Sequence, residues 1–150
     1  VRDADQTEAL QEAITQANPW QKPPDCPEQL PLYCLIESGT EAAARQISCH
    51  QDIASDGCFS LAMIAEYTEP LQRYGAWFYP RLYWEAGMIG QLLYLEAEAA
   101  GIRSTGIGCF FDDAMHELLG LEDRDFQDIY HFTVGGPVED RRLTTLPAYA

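Results

Sequence analysis

The run Ser104-Thr105-Gly106-Ile107-Gly108-Cys109-Phe110-Phe111-Asp112-Asp113, closed by Leu118-Leu119-Gly120-Leu121, constrains this chain more than any other stretch. It reads as a strand end, a glycine turn, an aspartate helix cap, a short helix and a glycine stop. Glycines at alternate positions allow backbone N–H groups to approach a flat or anionic ligand with no Cβ in the way. A strand feeding a helix through such a turn demands a sheet with helices packed on it.

The segments around it fit that demand. Residues 3–17 carry a helical pattern in Ala9-Leu10, Ala13-Ile14 and Ala17, stopped by Asn18-Pro19. Pro19 to Pro31 holds five prolines and reads as an irregular connector. Leu32–Ile36 reads as a buried strand, and Thr40 as the cap of a helix running through Ile47 toward Ile53. Asp56-Gly57 turns into a second apolar strand, Cys58–Ala65, and Glu69-Pro70-Leu71 opens a short helix.

Leu82–Gly101 is the longest helical segment. Tyr83, Gly87, Gly90, Tyr94, Ala97 and Gly101 share one face of it. A glycine inside a helix costs about 1 kcal/mol relative to alanine, so two on one stripe imply close approach by a helix or a ligand. Ile102–Ile107, Asp112–Leu119 and Gln127–Gly135 follow as strand, helix and strand. The class is mixed α and β.

Composition excludes more than it assigns. The 150 residues make one domain's worth of chain, and a net charge of −15 argues against nucleic acid or an anionic membrane as partner. Ala86–Leu95 is too short to span a bilayer. The five cysteines contain no C-x-x-C pair, and with no secretory signal expected they read as free thiols in a reducing cytoplasm. The chain opens on Val1, so a piece of a longer protein is expected.

Several motifs fail on spacing. Gly106-x-Gly108 lacks the third glycine of a dinucleotide fingerprint, because Phe111 stands there. His116-Glu117-Leu118-Leu119-Gly120 has glycine where a zinc-protease helix needs its second histidine, so no metal site is expected and His116 reads as a surface residue. A Cys109–His131 nucleophile pair is conceivable, with nothing to orient it.

Two basic motifs remain. Arg141-Arg142 follows a Gly-Gly-Pro turn and suits a phosphate, or else pairs with Glu139 and Asp140. Arg73 beside Tyr74 can favour a phenolate and so handle a proton, or else Tyr74 simply packs at a helix end.

Taken together, Gln51-Asp52-Ile53-Ala54, Tyr74-Gly75, Tyr79-x-Arg81, Glu85-Ala86-Gly87-x-x-Gly90-Gln91, Gly106-Ile107-Gly108-x-Phe110 and Val134-Gly135-x-Pro137 resemble the C-terminal part of the nitroreductase superfamily. The likeness is to its SagB/ThcOx-type dehydrogenase branch and covers about residues 32–147, leaving residues 1–31 as an N-terminal helix and connector. The resemblance implies a homodimeric α+β fold, with a central mixed sheet flanked by helices and FMN at the subunit interface. It also implies hydride transfer through flavin N5, and in this branch oxidation of azolines to azoles in modified peptides.

Carried over, Gly106, Ile107, Gly108 and Cys109 would lie against the isoalloxazine, and Arg142 with Arg141 would hold the phosphate. Arg73-Tyr74 stands where azoline oxidases of the branch have Lys-Tyr. Arginine stays protonated, which leaves Tyr74 as the acid or base. The family's N-terminal Arg-Ser-x-Arg motif has no counterpart, since Arg2 is the only arginine before Arg45. The contrasting expectation is a flavin-free nitroreductase-like module that binds a peptide or stabilises a partner domain; the partner expected for the fold is a second copy or a second nitroreductase-like domain.

Overall fold

The computed structural model describes residues 1–16 and 20–149. In chain order the elements are α1 (Thr7–Ala13), α2 (Glu41–Ile47), α3 (Ile53–Asp56), β1 (Phe59–Glu66), α4 (Thr68–Tyr74), α5 (Tyr79–Ala99), β2 (Arg103–Ile107), α6 (Asp112–Leu119) and β3 (Phe126–Gly135). The three strands form one sheet in the order β1-β3-β2. Both pairings are antiparallel, so the sheet among the described residues is antiparallel rather than mixed.

β3 is central and covered on both faces, which is why most of its residues are buried and none is exposed. On one face Phe132 and Val134 join Met63, Leu82, Ala86, Ala97 and Ile129 in the main core under α5. On the other, Thr133 hydrogen-bonds the carbonyls of Ile53 and Phe59, and His131 meets Ser48 behind α2. A smaller core of Ile14, Leu121 and Phe126 ties α1 to the start of β3.

The two glycines of the long helix have different causes. A Cβ on Gly90 would stand 3.2 Å from the Tyr130 ring and 3.4 Å from Phe132, so close packing of helix on sheet requires it. Gly87 faces open space.

Glycine also ends α6 as expected. Gly120 adopts the left-handed conformation, φ 72° and ψ 33°, and its N–H returns to the carbonyl of Glu117. The aspartate cap at the other end needs correction. Phe111 occupies the cap position, while Asp112 and Asp113 lie in the first turn, where acidic charge favours a helix start.

The expected strand Leu32–Ile36 does not form. Only Cys34 pairs, in a single bridge with Gln21, and Leu32 and Ile36 stay about half exposed (50% and 49%). Among the described residues no strand extends the sheet beyond β1, so an apolar run there finds no ladder. The expected helix from Thr40 breaks after Ile47 and resumes as the single turn α3, and the Thr40 side chain makes no capping bond. The helix expected over 3–17 is a 3₁₀ turn, Ala4–Gln6, followed by α1. Its predicted end at Ala17 and the stop at Asn18-Pro19 lie outside the described residues.

Candidate flavin-type site and the His131 clasp

The strand register fixes where the expected site residues sit. Glu66, at the end of β1, pairs with Phe126, and Ile107, at the end of β2, pairs with His131. Both strands therefore deliver their following segments to the end of the sheet where β3 begins. One segment carries Arg73 and Tyr74, and the other is the glycine loop. Arg141 and Arg142 follow β3 and leave from the opposite end.

Tyr74 closes α4 and is 44% exposed. Its ring stacks on Phe78 at 4.9 Å, with the Arg73 guanidinium 5.1 Å above the ring centre. Arg73 also leans toward Glu69 one turn earlier, at 3.9 Å. The phenol is thus oriented by stacking, with a cation on its face.

The glycine loop is anchored from several sides. Gly106 N–H donates to the Tyr94 hydroxyl at 2.8 Å, and a Cβ there would lie 2.0 Å from the Tyr130 oxygen. The Ile107 side chain is buried in the core. Gly108 faces open space. The Cys109 carbonyl accepts from Gln51 Nε2 at 3.1 Å, and Phe111 N–H donates to the Ile47 carbonyl at 2.8 Å.

Cys109 corrects the free-thiol reading. It is disulfide-bonded to Cys49, which also removes it as a partner of His131 in nucleophilic chemistry. Cys26, Cys34 and Cys58 carry free thiols.

The arginine pair lies on an exposed tail. Arg142 forks onto Asp140, with Nε to Oδ1 at 2.9 Å and a guanidinium nitrogen to Oδ2 at 2.6 Å. This hydrogen bonding holds the Asp140 carboxyl below the usual carboxylate range. Arg141 is exposed beside it.

His131, weighed in the sequence only as a partner for Cys109, is instead held beside the loop by Asp128 and Ser48. His131, 2% exposed, has Nε2 2.6 Å from Asp128 Oδ2 and Nδ1 3.3 Å from Ser48 Oγ. Phe110 stacks flat on its ring at 4.4 Å. Burial pushes the Asp128 carboxyl above the usual range, opposed by its hydrogen bond to His131. The other Asp128 oxygen has no partner. His116, expected at the surface, is half-buried, and its Nε2 accepts the Asp128 backbone N–H at 3.2 Å.

Two grooves flank the sheet. One of about 300 Å³ runs between the N-terminal segment and α5, past Arg2, Glu85, Met63 and Ile89. Another of about 340 Å³ follows Arg103–Thr105 and Gly135-Gly136, beside the buried, unpartnered Ser104 hydroxyl. Neither is lined by Tyr74, Gly108 or the arginine pair. The backbone at Gly108 is open, and the Tyr74 phenol is exposed at the end of α4.

A small antiparallel sheet with one long helix on its face and a glycine loop at the sheet's end defines an α+β domain. The nitroreductase family model matches residues 3–136, and the chain belongs to that family. The match takes in α1, which packs into the smaller core. The fold is similar to the crystal structure, at 1.80 Å, of an Anabaena variabilis ATCC 29413 protein described as a "putative nitroreductase". The TM-score is 0.62 at 29% identity, over 67% of this chain and 20% of that one. The chain thus spans about a fifth of that protein's length. No curated protein matches the chain. Among the described residues, no helix is long and apolar enough to cross a membrane.

Proposed function

We propose that this chain supplies one wall of an FMN site in an oxidoreductase of SagB type, the other wall coming from a second copy or from a further segment of a longer protein. Bound FMN would supply hydride transfer at N5. The observation that carries the reading is the anchored loop whose exposed point, Gly108, has no atom within 4 Å of where a Cβ would stand. Tyr74, oriented by Phe78 and Arg73, serves as acid or base toward a small or azoline-bearing peptide substrate. Arg142, with Arg141, takes the FMN phosphate in exchange for Asp140.

The second wall has a landing place. Trp84, Met88, Leu92 and Leu95 form one exposed stripe along α5, with Met88 67% exposed, and Gly87 lies open beside them. An apolar helix face of this extent fits a homodimer or a second nitroreductase-like domain. A cytoplasmic setting belongs to the same reading.

The test is the visible spectrum of the purified full-length product after addition of FMN and removal of the unbound fraction. A retained flavin band supports the proposal; its absence sinks it. One observation favours the flavin-free binding module instead: Gly106 N–H is already satisfied by Tyr94, so the loop holds its shape with no ligand. The same spectrum decides between the two.

A further inference from the structure

The residues flanking the disulfide are those that hold the buried histidine. Ser48 precedes Cys49 and meets His131 Nδ1; Phe110 follows Cys109 and covers the ring face. The path Ser48-Cys49-S-S-Cys109-Phe110 therefore closes around the imidazole. Cys49 and His50 both sit at positive φ, 54° and 60°, a conformation that non-glycine residues rarely hold. That turn carries the chain from the end of α2 to the bond with Cys109. Cys109 is an exposed residue and Cys49 half-buried, so the bond lies open on the Cys109 side.

We propose that Cys49–Cys109 is a thiol–disulfide exchange site whose partner is a dithiol reductant, and that its reduction opens the clasp around His131. A thiolate of the dithiol attacks the exposed Cys109 sulfur. The Cys49–Cys109 bond breaks, a mixed disulfide forms, and Cys49 leaves as a thiolate that takes up a proton. The second thiol of the reductant then displaces Cys109. Two electrons have reduced the protein disulfide to two thiols, and the dithiol has become a disulfide.

The loop keeps its hydrogen bonds to Gln51 and Ile47, so the change is local loosening rather than unfolding. It exposes the imidazole that the oxidised form shields. A disulfide that is made and broken in this way is the kind met in reducing compartments, where such bonds are transient and redox-sensing. None of this depends on a bound flavin.

The experiment uses the purified chain, equilibrated in oxidised and in reduced dithiothreitol, then alkylated and mapped by mass spectrometry. In oxidised buffer the expected result is a cross-linked Cys49–Cys109 peptide, with alkylation confined to Cys26, Cys34 and Cys58. In reduced buffer all five cysteines should be alkylated. Diethyl pyrocarbonate modification of His131 should rise about tenfold on reduction, as should amide exchange over residues 108–112.

The Cys49→Ser/Cys109→Ser variant should show the high rates without reductant. Should it fail to fold, the wild-type comparison stands alone. Absence of the cross-linked peptide in oxidised buffer overturns the proposal. So does a bond that survives excess dithiothreitol in the folded protein, or equal His131 labelling in the two forms.

Discussion

The glycine loop and the C-terminal tail carry the two halves of the expected cofactor site, and the chain treats them in opposite ways. The loop is held by the Tyr94 hydroxyl, Gln51, the Ile47 carbonyl, a disulfide and the stack of Phe110 on His131. The tail after Gly135 rests on its own Asp140–Arg142 fork, with Val138 and Tyr149 almost fully exposed (94% and 98%). Pre-organised groups lose little entropy when a ligand arrives, whereas a free segment must be ordered at that moment. The loop is therefore pre-organised, and the tail takes a fixed shape only when something meets it.

The largest effect that can break this contrast is loss of the disulfide. It links residues 60 apart, so Cys49→Ser/Cys109→Ser should lower stability by about 4 kcal/mol in denaturant unfolding. A cost below about 1 kcal/mol would show that hydrogen bonds alone hold the loop.

The two loop glycines sharpen the point. Gly106→Ala drives a Cβ into the Tyr130 hydroxyl and should cost about 1–3 kcal/mol. Gly108→Ala meets nothing and should stay within about 0.5 kcal/mol, while weakening FMN if the flavin rests there. Thermal unfolding of the pair, followed by FMN titration, reads both outcomes.

A smaller effect separates the buried carboxyl behind the loop from the exposed one in the tail. Asp128 has its pKa raised by burial, so the folded state binds that proton more tightly than the unfolded chain. Its contribution is complete below the ordinary carboxylate value of about 4 and is lost as pH rises through the raised one. Subtracting the stability–pH curve of Asp128→Asn from that of wild type should leave a difference that declines with pH over this window. A flat difference would mean that His131 fully compensates the burial.

How far the sequence was legible follows from what each signal reports. Gly120 punctuates the chain locally, and β2 and α6 begin and end within a residue of expectation, although Gly106 lies inside β2 rather than in a turn. Leu32–Ile36 misled because an apolar run reports hydrophobicity and not the presence of a partner strand. Asp128 and His131, three apart, would point to opposite faces of a regular strand. The register shift opposite Met63/Ile64 inserts Ile129 as an extra residue and returns them to one face. That bulge leaves no mark in the residue pattern. Nor does the Cys49–Cys109 bond, whose partners meet only after α2 and the loop have docked.

The smallest effect on stability is expected where the question of function is sharpest. Arg142 is exposed and Asp140 half-buried, so water screens their fork from the arginine side, and Arg142→Ala should leave the unfolding midpoint nearly where it is. Asp140 would return to an ordinary carboxylate. Its lowered pKa adds stability only above the usual carboxylate value, an increment lost as pH falls and small for a pair whose arginine stands in water. FMN affinity is another matter. A guanidinium that leaves a carboxylate for a phosphate exchanges one bidentate anion for another, so binding costs little at the arginine itself. In a preparation that retains flavin, Arg142→Ala should weaken FMN about tenfold or more, in line with the loss of one charged hydrogen-bonding partner. Arg141→Ala, measured alongside, tells whether the second arginine shares the phosphate. Equal FMN affinity in wild type and both variants would leave the tail outside the site, and the loop as the chain's whole contribution to it.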